Sequence, residues 1–409
     1  MAGKKREEVQ EKDVEGLKYF DKLLPLLERL HGVGCERDKA GNRDLHFDQY
    51  CMMVLLFLFN PVVSSLRAIQ QATELKKVRK KLGCGRASLG SLSEATDVFE
   101  PERLKEIIAE LGAQLEPVGH DPRLKDVRHT VTLVDGTLLK GLPLLMQAAA
   151  EDPRAAKYKA KWRLHFQFEV ERYIPTEFEL TAGAGRGKAD ERAVLERMIE
   201  PGRCYVKDRG YAKFTLFNAI HDKNSNYVCR LRDNSNLRIL EERPLIAEDI
   251  EAEVLQDALV DLGVEMKAAA RPDHPVRLIV VRCTPHEKRG KASGGSTGPA
   301  SSDTMLIATD MLDVPAWIIA LIYRYRWTIE IFFRFFKHIL GCRHLLSHDP
   351  VGIKIQTYCA IIVCMLISLW TGRKPTLRTY EMICYYFIGL ADEEELLAHL
   401  AKLKKHDAP

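Results

Sequence analysis

The order of strand and helix patterns over residues 126–231 constrains the fold of this chain more than any other feature. An apolar run over 130–135 predicts a strand, and alternating apolar residues over 163–170 and 177–180 predict two more. A helical pattern over 190–200 follows, and then a strand over 204–208. Three strands, a helix and another strand indicate an α/β domain with a mixed sheet flanked by helices.

This order is the one expected of an RNase H-like core, in which the first and fourth strands are neighbours in the sheet. Asp135 ends the first strand and is followed by Gly136, and Asp208 ends the fourth. We therefore expect the two aspartates to lie side by side at one edge of the sheet, although they are far apart in the chain.

A third acidic residue, Glu330, lies within a long helical pattern over 318–340. On a helical wheel at about 100° per residue, Tyr323, Arg326, Glu330 and Lys337 fall within a sector of about 60°, with Arg334 beside it. The opposite side holds Ile329, Phe332, Phe336 and Ile339. The pattern predicts one buried apolar face and one face that presents a carboxylate among cations. A solvated face with salt bridges is the simpler alternative.

Two strand-end aspartates and a helix glutamate have the chemistry of a metal site. Carboxylates are preferred ligands of hard cations such as Mg²⁺, and two such ions about 4 Å apart can activate an attacking hydroxyl and stabilise the departing oxygen of a phosphodiester. We predict that Asp135, Asp208 and Glu330 are catalytic and hold two Mg²⁺ ions, for which Mn²⁺ can substitute. Arg326 and Lys337 would bind DNA phosphates.

The same residues carry a family resemblance. The spacing Tyr323-x2-Arg326-x3-Glu330-x6-Lys337 resembles the Y-R-E-K signature of a large group of bacterial insertion-sequence DDE transposases. Residues 134–137 and 208–211 resemble the first and second aspartate motifs of that group. The resemblance covers about residues 126–345.

The resemblance implies an RNase H-like catalytic core with a mainly β insertion after the second aspartate. It implies that Asp135, Asp208 and Glu330 are the metal-binding triad and that Tyr323, Arg326 and Lys337 contact the transposon end. Such enzymes cut at terminal inverted repeats and join the freed 3′ ends to target DNA. Because two ends must be processed together, we expect a homodimer on paired ends.

Five regions are predicted along the chain. Residues 1–125 are helical and are assigned to DNA-end binding by analogy alone. Residues 126–231 and 305–345 form the two parts of the RNase H-like core, 232–304 form the insertion, and 346–409 form a helical region that could contribute to a dimer. In the first region, the cation-rich run 76–81 fits a phosphate-contacting surface and a solvated helix face equally well. In the insertion we expect a charged helix over 241–262, a strand over 276–283 and a mobile Gly/Ser-rich loop over 290–302.

The composition is that of an ordinary globular protein, with 46% apolar and 29% charged residues and a net charge of +4. The ten cysteines include no C-x-x-C pair, which favours reduced core residues and argues against a structural zinc site. The apolar run 359–370 is shorter than a membrane span and predicts a buried helix. We expect a cytoplasmic, nucleoid-associated protein with no membrane partner.

Several features compete with this interpretation. Residues 183–189 are glycine-rich but fail the P-loop pattern, so they predict a turn. Cations and aromatics alternate over 154–163, as on a DNA-tracking surface or an edge strand. Asp310 also follows an apolar strand and is the main rival as a metal ligand. Two other functions stay open: an RNase H-like nuclease that does not join strands, and an inactive DNA-binding descendant of a transposase.

Overall fold

The computed structural model describes residues 23–33, 38, 41, 44–118, 121–140, 161–182, 187–283, 303–341, 345–347 and 349–406. The chain divides into two compact units. The helical unit comprises Met1–Val118 and Arg334–Pro409, and the α/β unit comprises Gly119–Phe333. Three features predicted from the sequence lie outside the described residues: the loop over 290–302, most of the glycine-rich turn over 183–187, and the cation-rich residues before 161.

The regular elements of the described residues are as follows. The helices are α1 Leu24–Glu28, α2 Phe47–Phe59, α3 Leu66–Glu74, α4 Lys76–Leu82, α5 Leu89–Val98, α6 Arg103–Ala113, α7 Glu191–Arg197, α8 Phe214–Asp222, α9 Ala247–Glu251, α10 Ala316–Gly341, α11 Pro350–Thr371, α12 Leu377–Phe387 and α13 Glu393–His406. The strands are β1 Thr130–Lys140, β2 Lys161–Glu169, β3 Ile174–Ala182, β4 Arg203–Lys207, β5 Asn226–Arg230, β6 Leu237–Glu242, β7 Val254–Leu262, β8 Val276–Arg282 and β9 Thr304–Thr309.

The α/β unit is built on one nine-stranded sheet in the order β3-β2-β1-β4-β5-β9-β8-β7-β6. Strands β1, β4 and β5 are parallel, and every other neighbouring pair is antiparallel. The predicted order of three strands, a helix and a strand is confirmed by β1, β2, β3, α7 and β4. The mixed sheet with flanking helices is an α/β fold of the RNase H-like kind, and the insertion extends the sheet beyond β5.

One prediction within the insertion is wrong. The charged segment 241–262 is not a continuous helix, because it contains the end of β6, the single turn α9 and the whole of β7. Strand β7 pairs with both β6 and β8, so pairing on two sides outweighs the helical tendency of its Asp, Ala and Leu residues. The predicted strand over 276–283 is confirmed as β8, and the apolar strand expected before Asp310 is confirmed as β9.

The helical unit is organised around α11, which packs against α2, α5 and α6. Gly352 permits a close approach to α5, since a Cβ atom there would collide with Thr96. The predicted buried helix is confirmed, but it has 22 residues rather than the twelve of its apolar core. By length and composition alone α11 could cross a membrane, yet 89% of its most apolar window is buried inside the protein. Burial of this degree identifies a core helix.

Candidate active site

The two aspartates lie on neighbouring parallel strands. The register of β1 and β4 pairs Leu133 with Val206. Asp135 stands two residues beyond Leu133, and Asp208 stands two residues beyond Val206. Continuing the register therefore places the two aspartates opposite each other at the carboxyl edge of the parallel strands, as the strand order predicted.

Backbone amides fix both carboxylates. Asp135 Oδ1 accepts a hydrogen bond from the amide of Gly136 at 2.7 Å, and Asp208 Oδ1 accepts one from the amide of Gly210 at 2.7 Å. A Cβ atom on Gly136 would lie 2.8 Å from Glu191 Oε1, so a side chain at this position would displace the carboxylate of Glu191. The glycine after Asp135 thus allows the first turn of α7 to approach the site closely.

Glu330 is carried by the part of α10 that belongs to the α/β unit. The neighbouring Ile329 and Phe332 are buried, and the Phe332 ring centroid lies 4.7 Å from that of Phe168 and 5.8 Å from that of Phe166 on β2. This aromatic packing fixes the rotation of the helix about its axis. The opposite face then presents Glu330, whose Oε1 accepts a salt bridge of 2.8 Å from Arg326 Nη1.

The three carboxylates influence one another electrostatically. Burial, together with the negative charges of Asp208 and Glu330, raises the pKa of Asp135 to about 6, although the amide of Gly136 and the charge of Arg326 oppose the shift. Asp135 therefore sits among more negative than positive charge. A carboxylate in this situation is stabilised by a cation, and a set of three oxygen donors suits a hard divalent ion.

The carboxylates do not form a closed cluster. In the described part of the chain, the ligand atoms of Asp135, Asp208 and Glu330 are not all within 4.8 Å of one another. The Glu330 side chain is 34% exposed and is held by Arg326. Joint binding of one ion would therefore require this side chain to turn and to give up part of its contact with Arg326.

The predicted DNA-contacting residues differ in exposure. The Tyr323 ring is only 8% exposed, and burial raises the pKa of its hydroxyl to about 12. The Arg326 guanidinium carbon lies 5.9 Å from the centroid of this ring and 5.8 Å from that of Trp327, which is 51% exposed. Lys337 is exposed on the part of α10 that belongs to the helical unit.

A cleft next to the aspartates contains functional candidates that the sequence analysis did not identify. It is lined by Arg163, Asp190, Glu191, Arg192, Gly210 and Arg232. Arg163 pairs with Glu191, and Arg192 pairs with Asp190 at 2.9 Å. These residues come from four separated segments, so no local motif could have indicated the cleft. Two sequence signals bear on it: Gly210 follows Asp208 by two positions, and Arg163 ends the cation-rich stretch 154–163.

Asp310, the rival carboxylate, lies elsewhere. It follows β9, its side chain is fully buried, and its Oδ2 lies 3.0 Å from Nδ1 of His221. Its Oδ1 accepts the backbone amide of Tyr227 at 3.0 Å. The structure thus joins Asp310 to a histidine and leaves the predicted triad without it.

Comparison with known families agrees with this fold. A family model described as a transposase DDE domain matches residues 127–366, which is more than half of the chain and includes all six predicted site residues. The chain belongs to this family of transposases, whose DDE domains are metal-dependent.

Two relatives are transposases by name. The chain is 28% identical over 172 residues to "Putative transposase y4zB" of Sinorhizobium fredii, covering 42% of this chain and 43% of that protein. It is 22% identical over 209 residues to the "Probable transposase for insertion sequence element IS5377" of Geobacillus stearothermophilus, covering 51% of this chain and 49% of that protein. The alignments thus span about half the length of each relative.

Proposed function

We propose that this chain is the transposase of a bacterial insertion sequence of the Y-R-E-K group. It binds the terminal inverted repeats of its element, cleaves the ends by metal-dependent phosphodiester hydrolysis and joins the 3′ ends to target DNA. The observation that carries the proposal is the approach of three carboxylates from β1, the end of β4 and α10, with the pKa of Asp135 raised to about 6 by burial and by its acidic neighbours.

The proposed roles follow from the donor chemistry. Asp135, Asp208 and Glu330 would hold two Mg²⁺ ions, or Mn²⁺ in their place. Bound divalent ions would activate a hydroxyl and stabilise the departing oxygen. In cleavage the water oxygen bonds to phosphorus as the bond to the 3′ oxygen breaks. In joining, the oxygen of the freed 3′ hydroxyl bonds to a target phosphorus, and the target's own 3′ oxygen leaves and takes up a proton.

Arg326 has a second role in this proposal. Its guanidinium forms a salt bridge with Glu330. A cation at the carboxylates would release this guanidinium to grip a DNA phosphate through its planar fork. Its stacking against Tyr323 and Trp327 would keep it nearby, so the contribution of the buried Tyr323 would be mainly to position Arg326. Lys337 would contact phosphate as a point charge.

The remaining regions have proposed roles as well. Residues 1–125 would bind the element's end, and the exposed lysines of α4 (Lys76, Lys77 and Lys80) fit a phosphate-contacting surface. Residues 126–231 and 305–345 would form the catalytic core around an insertion over 232–304. Residues 346–409 would contribute to a homodimer on paired ends, acting on nucleoid DNA in the cytoplasm.

A cleavage and joining assay tests the proposal. The purified full-length protein is incubated with Mg²⁺ and DNA that carries the ends of its own element, and nicked and joined products are separated by size. The wild type should yield both. Asp135→Asn, Asp208→Asn and Glu330→Gln should each reduce cleavage by more than about 100-fold, which is the upper end of the loss caused by altering only an outer-shell partner of a metal ligand.

Two controls test whether the loss of cleavage is specific to the three site residues. Asp313→Asn changes an exposed aspartate of the same unit and should cut normally. End binding by the three site variants should remain within a few fold of the wild type. Cleavage by the wild type without joined product would identify a nuclease. Binding without cleavage would identify an inactive descendant of a transposase. Normal cleavage by any one site variant would show that its residue is not part of the triad.

A separate binding experiment tests the DNA contacts. Arg326→Ala and Lys337→Ala should each weaken end binding and lower the slope of log affinity against log salt by about 1, as expected for one lost phosphate contact. An unchanged slope would exclude the phosphate contact for that residue.

A further inference from the structure

A second cluster of ligating side chains lies at the opposite edge of the sheet from Asp135 and Asp208. Strand β9 runs antiparallel to β5, with Thr309 opposite Val228, so Asp310 lies beside the start of β5. The start of β5 is level with the start of β4, as the pairing of Tyr205 with Tyr227 indicates. Because β1, β4 and β5 are parallel, this edge is the one that their amino ends form.

Three side chains meet at this edge. His221 lies in the last turn of α8, His274 stands two residues before β8, and Asp310 follows β9 directly. One ring nitrogen of each histidine and one oxygen of Asp310 all lie within 4.8 Å of one another. Among the described residues, no other three His, Cys, Asp or Glu side chains meet this condition.

The two histidines differ in accessibility. The side chains of Asp310 and His274 are 0% and 3% exposed, whereas that of His221 is 46% exposed. The imidazole rings are stacked, with centroids 4.2 Å apart and planes 12° from parallel. Lone pairs in parallel planes do not converge, so joint ligation requires one ring to turn, and the exposed His221 ring is free of the core packing that would prevent this.

Outer partners hold the other two ligands. Asp310 Oδ1 accepts the amide of Tyr227, which leaves Oδ2 directed toward His221. His274 Nδ1 lies 3.0 Å from Asp273 Oδ1, and its Nε2 lies 3.0 Å from the hydroxyl of Tyr227. Ligation through Nε2 therefore requires the Tyr227 hydroxyl to move aside, while Asp273 can keep its contact with Nδ1. A histidine that ligates a metal through one nitrogen and contacts a carboxylate through the other is a common arrangement in metal sites.

The donor set selects the type of metal. Two imidazoles and one carboxylate suit Zn²⁺ and related transition metals, whereas Mg²⁺ prefers oxygen ligands alone. We propose that His221, His274 and Asp310 form a zinc-type site, separate from the carboxylate site, that joins β8 of the insertion to β9 and α8. The cysteine spacings of the sequence could not indicate it, because no cysteine takes part and the ligands come from three distant segments.

The experiment measures metal binding without catalysis. The untagged full-length protein carries Asp135→Asn and Asp208→Asn to weaken the carboxylate site, is stripped with chelator, and is titrated with Zn²⁺ by calorimetry and with Co²⁺ by visible absorption. One ion per chain should bind, and Co²⁺ should give the d–d bands of a four-coordinate site. His221→Ala should remove the bands and weaken Zn²⁺ binding by more than about 100-fold, while Asp273→Asn should weaken it about 10- to 100-fold.

A matched control exists in the helical unit. His31 and His46 also form a stacked pair, with centroids 3.7 Å apart, and Nδ1 of His31 lies 3.0 Å from Asp48, yet this group does not meet the 4.8 Å condition. His31→Ala should therefore leave Zn²⁺ binding unchanged. Because His221 is half exposed, its alanine variant should fold. The change leaves the buried Asp310 Oδ2 without its histidine partner, so the variant should melt below the parent protein without metal, and the comparison is the change in melting temperature that Zn²⁺ causes in each protein.

The outcomes are distinct. Zn²⁺ should raise the melting temperature of the parent protein and of the His31→Ala variant but not that of the His221→Ala variant. Equal Zn²⁺ affinity in the parent and the His221→Ala variant would overturn the proposal, as would a spectrum of Co²⁺ in all-oxygen, six-fold coordination. Neither result would bear on DNA cleavage, so this site and the proposed transposase activity can fail independently.

Discussion

Two of the places where the α/β unit buries charge differ in how the charge is compensated. In the insertion, Arg277 and Asp257 face each other across β8 and β7 with side chains only 2% and 4% exposed. Two nearly parallel hydrogen bonds join them, Nε to Oδ1 at 2.7 Å and Nη2 to Oδ2 at 2.6 Å. The remaining nitrogen donates to the carbonyls of Met311, at 3.1 Å, and Val314. Every charge of this pair has a partner.

At the carboxyl edge of the parallel strands the charges are unbalanced. Asp135 is influenced by two further carboxylates and by one guanidinium, that of Arg326. A second uncompensated charge lies away from this edge. The Lys207 ammonium is fully buried without a hydrogen-bond partner, 4.7 Å from the ring centroid of Phe217 and 5.3 Å from that of Tyr227. A buried charge that has an ion-pair partner can be part of the structural core. A buried charge without such a partner lowers stability, and proteins retain it mainly at functional sites.

The largest change in stability is expected when the compensated pair of Arg277 and Asp257 is broken. Arg277→Ala should lower the free energy of unfolding by about 3–5 kcal/mol, because Asp257 would remain buried and charged without its partner. Chemical denaturation followed by tryptophan fluorescence measures the loss. The double variant Arg277→Met/Asp257→Leu is the control and should be near wild-type stability or above it. A loss below about 1 kcal/mol in the single variant would mean that water reaches Asp257 freely.

The next largest effect on stability is expected from removing the uncompensated charge of Lys207. Burial lowers the pKa of Lys207 to about 8, so the folded state binds its proton less tightly than the unfolded state does. The wild type should gain stability as the pH rises from about 8 to about 10.5, where only the unfolded chain is still protonated. Lys207→Met should therefore raise stability by about 2–3 kcal/mol at pH 7, and the gain should vanish above pH 10.5. Equal stability at both pH values would show that the ammonium is solvated.

The pH dependence of stability that Asp135 causes has the opposite sign to that of Lys207. Its pKa is raised to about 6, so the folded state binds the proton more tightly than the unfolded state. This contribution to stability is complete below about pH 4 and is lost as the pH rises through about 6. In chelator, Asp135→Asn should thus be more stable than the wild type by about 2 kcal/mol at pH 8 and equal to it near pH 4. Thermal melts at the two pH values measure the difference, and a pH-independent one would contradict the raised pKa.

The smallest expected effect comes from replacing Arg326, the cation that pairs with Glu330. Arg326 and Glu330 form an i, i+4 pair that is partly solvated, so Arg326→Met should change stability by less than about 1 kcal/mol. The pKa of Asp135 should rise further, since Arg326 lowers it. Carbon-detected NMR of the Asp135 carboxyl group follows this titration. A lower pKa of Asp135 in the variant would show that the charge of Arg326 does not stabilise the Asp135 carboxylate.

Much of the fold was predictable from local pattern. The apolar runs within β1 and β4 end in the two aspartates, and the strand order fixes their adjacency. The prediction that Asp135 ends the first strand is wrong, because β1 continues to Lys140 through its pairing with β2. The helical wheel predicted the buried face of α10, since Ile329 and Phe332 are at most 1% exposed. The same wheel misplaced Tyr323 among the polar residues, because a tyrosine at the margin of a helix face can turn toward either side.

The features that the sequence analysis predicted wrongly or missed share one physical cause. Strand β7 contains Asp257, and a buried aspartate there is tolerated only because Arg277 faces it from β8. No property of residues 254–262 alone reveals that partner, so local propensity favoured a helix. The zinc-type cluster is similar, since His221, His274 and Asp310 meet only after α8, β8 and β9 have packed.

The sequence by itself determined the alternation of helices and strands, the three acidic positions and the face of α10 that carries Glu330, because backbone geometry converts residue spacing into direction over short distances. The tertiary structure decided how charges compensate one another. It left Asp135 with excess negative charge, enclosed Arg277 with Asp257 and gathered two histidines around Asp310. Electrostatic energy depends on distances and burial that exist only after distant segments have packed together.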